Sequence, residues 1–272
     1  MTGLVTDLRN RFNLGFARWA PDPLKRRLGH VLAEPIDLGR ARLLRSADPE
    51  ALRDAHRLEH EILPTLGIND DMPDLFPPGF EEAHLGHGLR YWQYPCQLAP
   101  YLVFLSRLPI RRYMEIGVQH GGTFVLTTEY LDRFQPVERA IAVDVMQIRS
   151  LRDYEQQRPG VSFVIENSQS ERFARRVAGE APLDLVLIDG DHSREAVRRD
   201  WETVHPHAKV VAFHDIVDAY SPGVVETWGE IRREHAGEWE FHEFAEQYPE
   251  VLERTGAPHL GLGVAVRRGW PG

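Results

Sequence analysis

The stretch RYMEIGVQHGGT (112–123) decides the fold, because an apolar run leads into a glycine turn and then into a helical segment. Gly117 suits a tight turn at the end of a strand, and Gly121 and Gly122 let backbone come close to a ligand where the helix starts. The pattern is E-x-G-x-x-x-G-G, which differs from the dinucleotide pattern G-x-G-x-x-G. Glu115 would also repel a pyrophosphate. The stretch therefore predicts a strand-turn-helix ligand site that is not built for a dinucleotide.

The sequence after residue 110 alternates between short apolar runs and amphipathic helical segments. Five such runs precede the tail, namely RYMEIGV, AIAVDV, VSFVIE, LDLVLID and KVVAFHD. The tail adds a predicted helix near 223–235, a possible strand in WEFHEF and a firmer one in LGLGVAV. Strands that are apolar throughout and alternate with helices are typical of a parallel sheet covered on both faces. The predicted fold is α/β, with a doubly wound, mostly parallel, Rossmann-like sheet.

The sequence before residue 110 has a different texture, with helical spacing and little strand signal. Four-residue steps of apolar side chains predict a helix over 3–19, and Asp48 is a plausible start for a second helix over 49–62. Prolines, glycines and acids predict a connector over 67–82, and a buried helix is expected over 98–108. We therefore predict a helical N-terminal region over 1–109, serving as a lid or as substrate or oligomer contacts, and a ligand-binding sheet domain over 110–272.

Composition restricts the class of protein. The 272-residue chain has a formal net charge of −9, which argues mildly against a nucleic-acid partner because phosphates need a basic surface. No apolar run approaches the roughly 20 residues that span a bilayer, and the start lacks the apolar centre of a secretory signal. The single cysteine suits a reducing cytosol. These features predict a globular cytoplasmic protein with neither a membrane nor a nucleic-acid partner.

Asp144 ends the second apolar run, about twenty residues beyond the glycine turn, where an acid can accept hydrogen bonds from both hydroxyls of a ribose. With this acid and the glycine turn, residues 110–267 resemble the class I S-adenosylmethionine-dependent methyltransferases, whose sheet has seven strands. The resemblance implies that Glu115 lies near the methionine moiety, that Asp144 holds the ribose and that the segment at Glu166 lies near adenine. The full set of cofactor residues implied in this way is Glu115, Gly117, Gly121, Gly122, Thr123, Asp144, Asn167, Ser168 and Asp189.

Acids and histidines gather where the fourth and fifth predicted strands end. The fourth ends in Asp189, followed by Asp191 and His192, and the fifth ends in His214 and Asp215. Adjacent parallel strands bring these ends together, and such a cluster is costly unless its members are paired, bound to a cation or used in proton transfer. A structural explanation stays open for single members, because Ser193 suits a helix N-cap and Asp191 or His192 could accept from backbone donors.

The runs LVLIDGDHSREAVRRDWE and VVAFHDI resemble a branch of small-molecule O-methyltransferases that contains macrolide-sugar and aminocoumarin-sugar methyltransferases and cephalosporin-hydroxylase-like proteins. The resemblance implies metal positions at Asp189 and Asp215 and a general base at Asp191. His214 departs from the pattern, since the metal-binding relatives carry an acid there, and imidazole suits manganese, iron, cobalt or zinc better than magnesium. Without a metal, His214 or His192 becomes the better base.

The resemblance predicts an S-adenosylmethionine-dependent O-methyltransferase that acts on a small hydroxylated molecule, either a sugar or a glycosylated natural product. Mg²⁺ or Mn²⁺ at Asp189, His214 and Asp215 is expected to assist, and a homo-oligomer is possible. Two alternatives stay open: an enzyme of the same fold with other chemistry, like the hydroxylase-named relatives, and a nucleoside-binding partner subunit without catalysis. The acceptor itself cannot be read from the sequence, because acceptor pockets are built from variable loops.

Overall fold

A computed structural model describes residues 34–77, 80 and 84–271. The helix predicted over 3–19 lies outside the described residues. The N-terminal helices are short: α1 (Ala41–Ser46), α2 (Pro49–Arg53), α3 (Ala55–Arg57) and α4 (Leu63–Leu66), with one π-helical turn (Leu58–Ile62) between the last two. Asp48 caps α2, as predicted, and accepts a hydrogen bond from the backbone N–H of Glu50. The helix expected over 49–62 is broken at Asp54, whose carboxylate caps α3.

The rest of the chain alternates strands and helices. After α5 (Pro95–Leu105), the elements are β1 (Arg112–Ile116), α6 (Gly122–Leu131), β2 (Arg139–Asp144), α7 (Arg149–Gln157), β3 (Val161–Ile165), α8 (Glu171–Glu180), β4 (Leu183–Ile188), α9 (Arg194–Val204), β5 (Ala208–His214), α10 (Pro222–Glu234), β6 (Trp239–Phe244), α11 (Pro249–Thr255) and β7 (Leu262–Arg267). The predicted alternation and both tail strands are confirmed. Helix α5 begins and ends three residues earlier than expected, and α11 was not predicted.

The seven strands form one sheet in the order β3-β2-β1-β4-β5-β7-β6. The first five are parallel, and β7 runs antiparallel to both β5 and β6. Strand β1 pairs with β2 on one side and with β4 on the other, so the chain reverses its direction of travel across the sheet between β1 and β4. Ligands of open α/β sheets bind beyond the carboxyl ends of the strands at such a switch point. The predicted doubly wound sheet is confirmed, and it fixes where the site must lie.

Two apolar layers cover the sheet, which explains why its strands are apolar throughout. On one face α8, α9 and α10 bury Phe173, Trp201 and Trp228 against the strands. On the other face α5, α6 and α7 share a single hydrophobic cluster with the N-terminal helices, which contribute Leu44 and Leu52. Among the described residues, no helix is both long enough and apolar enough to cross a membrane. The region ahead of residue 110 is thus one wall of the same core.

Candidate active site

The carboxyl ends of four adjacent strands gather the predicted site residues at one edge of the sheet. Glu115 belongs to β1, Asp144 ends β2, Asp189 follows β4, and His214 ends β5. The register places Ile116 beside Ile188, and Ile188 beside Phe213, so the residues just beyond them lie level across the sheet. The structure therefore brings the predicted cofactor residues and the predicted acid-histidine cluster to the same edge.

The glycine turn is filled by other parts of the chain. Gly117 has a φ of 80°, and a Cβ there would lie 2.0 Å from the carbonyl oxygen of Asp189. A Cβ on Gly122 would lie 1.9 Å from the carbonyl oxygen of Leu89, and one on Gly121 would strike the side chain of Leu151. The sequence pattern suggested close approach of a ligand. In the structure, the loop after β4 and the N-terminal segment lie against these glycines, and contact with a ligand stays a prediction.

The carboxylate of Asp144 stabilises the glycine turn after β1 through hydrogen bonds to backbone N–H groups. Its Oδ2 accepts hydrogen bonds from the backbone N–H groups of Val118 (3.0 Å) and Gln119 (3.2 Å), and its Oδ1 accepts from Met146 (2.8 Å). The side chain is buried, and burial raises its pKa in spite of these donors. A carboxylate offers about four acceptor positions, so three are used within the protein. Sequence reasoning placed Asp144 correctly in the sheet and missed this bracing of the turn.

Glu115 lies at the centre of the edge and is fully buried. The hydroxyl of Tyr113 donates a hydrogen bond to its Oε2, while Oε1 has no hydrogen-bond partner among the residues that the structure describes. Burial raises the pKa of Glu115 to about 8, and the neighbouring carboxylate of Asp189 adds to the shift. The carboxyl group is therefore largely protonated near neutral pH, and its free oxygen can meet a ligand.

Two aspartates and two histidines alternate around the ends of β4 and β5. Nδ1 of His214 lies 2.8 Å from Oδ1 of Asp215 and 3.4 Å from Oδ1 of Asp189. Nε2 of His192 lies 3.3 Å from Oδ1 of Asp189, and its Nδ1 lies 3.3 Å from Oδ2 of Asp215. The hydroxyl of Ser221 donates to Oδ2 of Asp215 at 3.0 Å and lies 3.1 Å from Nδ1 of His192. Four of the five predicted members thus form one connected network, which Ser221 joins, and Asp191 lies outside it.

The ring of His214 is locked by its backbone partner. Its Nε2 lies 2.9 Å from the carbonyl oxygen of Trp92, which can only accept, so this nitrogen carries a proton and Nδ1 faces the two carboxylates. Burial disfavours the charged ring, but the carboxylates of Asp189 and Asp215 outweigh it and raise the pKa of His214 to about 10. The imidazolium in turn lowers the pKa of Asp215 against the effect of burial. His214 is thus a buried cation that cross-links two acids.

His192 is the accessible member of the network, with 38% of its side chain exposed. Burial of the ring lowers its pKa, but Asp189 and Asp215 reverse that effect, and the net shift is upward. Asp191, the base position in the resemblance, is exposed, and its Oδ1 accepts from the backbone N–H of Ser193 at 2.8 Å. Ser193 occupies the N-cap of α9, as predicted, but makes no side-chain capping bond. The cap is therefore supplied by Asp191.

The predicted metal positions are occupied by side chains that face one another. Within the described ranges, no group of three or more His, Cys, Asp or Glu side chains is arranged to hold a metal ion. Asp189, His214 and Asp215 do meet, yet the proton-bearing ring of His214 lies against the carboxylate oxygens that a cation would need. The donor set in this arrangement therefore fits an internal ion-pair network and does not fit a divalent metal.

The N-terminal region supplies contacts that the sequence did not reveal. The backbone carbonyl of Trp92 faces the ring of His214, and the backbone N–H of Trp92 donates to Oγ1 of Thr123 at 3.4 Å. Asn69 is buried, and its side-chain amide donates to Oε1 of Gln119. Nε2 of Gln119 in turn donates to a carboxylate oxygen of Asp71. In the aromatic stretch 91–95, Tyr91 and Tyr94 are fully buried. Backbone partners of this kind carry no sequence signal.

Part of the chain matches a known protein family. Residues 114–216 match a family model described as a methyltransferase domain. The comparison with curated proteins gave no significant match. Among solved structures, the O-methyltransferase TomG from Streptomyces achromogenes is 17% identical, with a TM-score of 0.45, and the match covers 82% of this chain and 92% of that one. An O-methyltransferase from Bacillus cereus is 14% identical, with a TM-score of 0.44 and coverage of 82% and 93%.

A third similar structure is the MycE methyltransferase of the mycinamycin biosynthetic pathway, which is 16% identical with a TM-score of 0.42. The match covers 58% of this chain and 46% of that chain, so this chain spans about half of its length. The family match runs from within β1 to just beyond β5 and includes the edge where the site residues meet. Residues 114–216 therefore match a methyltransferase domain, and they include the strand ends that gather the site residues.

Proposed function

We propose that this chain transfers a methyl group from S-adenosylmethionine to a hydroxyl oxygen of a small molecule, a sugar or a glycosylated natural product. The observation that carries the proposal is the position of His192, a half-exposed imidazole between the carboxylates of Asp189 and Asp215 at the switch-point edge. The substrate class follows from the sequence resemblance. Transfer to oxygen is favoured because a hydroxyl must lose its proton, and the accessible group at this edge is a base.

The residues at the edge fit the cofactor. Glu115 offers a buried oxygen without a partner among the described residues, which suits the methionyl end together with Thr123. Asp144 has about one acceptor position left for a ribose hydroxyl after its three backbone bonds. Asn167 and Ser168 follow β3 and would border the adenine. These features support the proposed orientation of the cofactor across the carboxyl ends of β1, β2 and β3.

The chemistry that this chain must supply is positioning and removal of one proton. S-adenosylmethionine, when bound, supplies an electrophilic methyl group. A substrate hydroxyl that displaces the loose 3.3 Å contact between His192 and Asp189 can give its proton to Nε2 of His192. Asp215 and Ser221 lie at Nδ1 and stabilise the ring once it carries both protons. His214 keeps the two aspartates in place throughout.

The test is methyl transfer from isotopically labelled S-adenosylmethionine to a panel of sugars and glycosides. His192→Gln should lower kcat by roughly 10²- to 10⁴-fold, the usual contribution of a general base. Cofactor binding, measured by titration calorimetry, should stay unchanged because His192 lies on the acceptor side. The exposed His87 provides the matched control, and His87→Gln should behave like the wild type. A wild type that binds no S-adenosylmethionine would refute the function, whereas full turnover by His192→Gln would refute only the role of His192.

The divalent metal at Asp189, His214 and Asp215 stays a prediction from the resemblance, and the mechanism above routes no step through it. Because the ring of His214 already pairs with both carboxylates, we expect turnover to be unchanged after dialysis against EDTA. Activity of the dialysed protein should be compared with that of samples resupplied with Mg²⁺ or Mn²⁺. Loss of turnover on chelation with recovery on metal addition would contradict this expectation and confirm the metal prediction.

We further propose that the helical region ahead of residue 110 forms the acceptor-side wall, while residues 110–272 hold the cofactor. The contacts of Trp92 with His214 and Thr123 support this role, because they place the N-terminal segment over the edge of the sheet. An acceptor that reaches His192 must approach past this segment.

A further inference from the structure

Helix α9 carries a buried carboxyl group for which the mechanism has no use. Asp200 is fully buried, and its Oδ1 accepts a hydrogen bond from Nε2 of Gln169 at 2.8 Å. Its Oδ2 makes no hydrogen bond of normal geometry with any residue in the described part of the chain. Burial raises the pKa of Asp200 to about 7, although Ser168 and Gln169 oppose the shift. Such a group is costly to bury, so its place in the fold needs an explanation.

The carboxyl group of Asp200 lies between two strand-end loops. On one side Gln169 belongs to the loop between β3 and α8, and its amide also donates to Ser168 (3.2 Å) and to the carbonyl of Ala196 (3.3 Å). On the other side, a Cβ on Gly190 would lie 3.7 Å from Oδ2 of Asp200, so this oxygen lies beside the β4 loop. Asp200 therefore touches both loops at once from beneath.

The 167–169 turn also has backbone support of its own, since the N–H of Ser170 donates to the carbonyl of Asn167 at 3.0 Å. Gln169 donates its backbone N–H to Oδ1 of Asn167 at 2.9 Å, which closes a tight turn within 167–169. The preceding Glu166 is held separately, through ion pairs with Arg172 and Arg176 of α8. The side-chain amide of Gln169 thus links this turn to α9.

We propose that Asp200 is a positioning residue for the adenine end of the cofactor, acting through Gln169 on the 167–169 turn. This inference rests on the proposed function, which places the adenine beside Asn167 and Ser168. Asp200 makes no contact with the cofactor in this scheme. Asp200 instead fixes the position of the 167–169 turn, and the residues of that turn recognise the adenine ring. Loss of the hydrogen bond between Asp200 and Gln169 should therefore weaken cofactor binding and reduce discrimination between adenine and other bases. Proton transfer at His192 should stay intact.

The test compares binding of S-adenosylhomocysteine with binding of S-inosylhomocysteine, which differ only at the base. Asp200→Leu keeps the branched shape of the side chain and removes the hydrogen bond. It should weaken binding of S-adenosylhomocysteine by about tenfold, which equals about 1.4 kcal/mol, in line with a buried partner left unsatisfied. The ratio of the two affinities should fall towards one, and kcat at saturating cofactor should match the wild type. Asp200→Asn can accept from Gln169 and donate towards Ser168, so it should restore both affinity and discrimination.

Gln169→Leu provides a second route, because it removes the same bond from the loop side. Its effect should be at least that of Asp200→Leu, because it also removes the bonds of the amide to Ser168 and to the carbonyl of Ala196. The double variant should be no worse than Gln169→Leu alone, since the bond to Asp200 is already absent there. If Asp200→Leu does not fold, Gln169→Leu and Asp200→Asn carry the test alone. Glu202→Gln, an exposed change on the same helix, is the control. Unchanged affinity and discrimination in a folded Gln169→Leu would overturn the inference, whereas a wild type that binds neither ligand would overturn the proposed function and the inference with it.

Discussion

The carboxylate of Asp144 serves the fold as well as the ligand. Three backbone N–H groups, from Val118, Gln119 and Met146, end on its two oxygens. This explains why an acid is needed at the end of β2 even before any ribose arrives. The residue therefore links stability and binding, so a substitution here should disturb both.

Asp144→Ala should lower the free energy of unfolding by about 1–3 kcal/mol, because it leaves buried donors unsatisfied. It should also raise the Kd for S-adenosylmethionine at least tenfold, since the turn and the ribose contact are lost together. Urea denaturation and titration calorimetry measure the two effects. Asp153→Ala, an exposed change on α7, is the control and should alter neither. Normal binding by a destabilised Asp144→Ala would restrict the residue to the fold.

The pH dependence of turnover should reveal the state of His192. The ring accepts a proton only when it is neutral, and its pKa is raised because Asp189 and Asp215 outweigh the opposite effect of burial. The rate should therefore fall as pH decreases through a pKa that lies above the ordinary histidine value of about 6.5. Asp215→Asn removes one of the two charges and should move this acid limb to lower pH. An acid limb that stays in place in Asp215→Asn would mean that another group titrates.

At the scale of elements, the start of α6 is defined by its neighbour. The segment 89–91 crosses the first turn of α6 so closely that its carbonyl at Leu89 occupies the position where a Cβ of Gly122 would be. The helix, the glycine turn and the N-terminal segment are therefore packed as one unit. The glycine pattern predicted the turn correctly. The backbone that leaves no room for a side chain at Gly122 lies some thirty residues earlier in the chain, and it has no periodic signal in the sequence.

Gly122→Ala should be strongly destabilising, by more than the roughly 1–3 kcal/mol of an ordinary overpacked position, because the obstacle is backbone and cannot rotate away. Gly179→Ala is a matched control, since Gly179 lies in α8 and a Cβ there meets nothing within 4 Å. That control should raise stability by roughly 0.5–1 kcal/mol through the better helix propensity of alanine. Thermal unfolding of both variants measures the contrast, and equal melting temperatures would contradict the close packing.

For the whole molecule, the sheet could be predicted from the sequence, and the contacts of the N-terminal region with the sheet could not. Apolar runs predicted β1 to β5 and β7, because a strand buried on both faces must be apolar along its length. Strand β6 lies at the edge of the sheet and is only partly buried, so its sequence is more polar. The strand-end acids were likewise placed correctly, since parallel strands end at one edge. What the sequence could not show are contacts made by backbone atoms, such as the carbonyl of Trp92 on His214, and pairings over more than a hundred residues. These depend on how the N-terminal helices pack, and their short, broken forms carry weak periodicity.

The crossing at Gly122 also decides where the chain can be cut. A fragment that starts at residue 110 would keep every strand and every acid of the edge, yet it would lose the backbone of 89–91 over α6 and the carbonyl that fixes the ring of His214. The first turn of α6 would be uncovered, and the imidazole would lose its backbone anchor. The smallest piece that retains the intact edge must therefore begin ahead of residue 89, which makes the change of texture near residue 110 a boundary in the sequence and not in the folded protein.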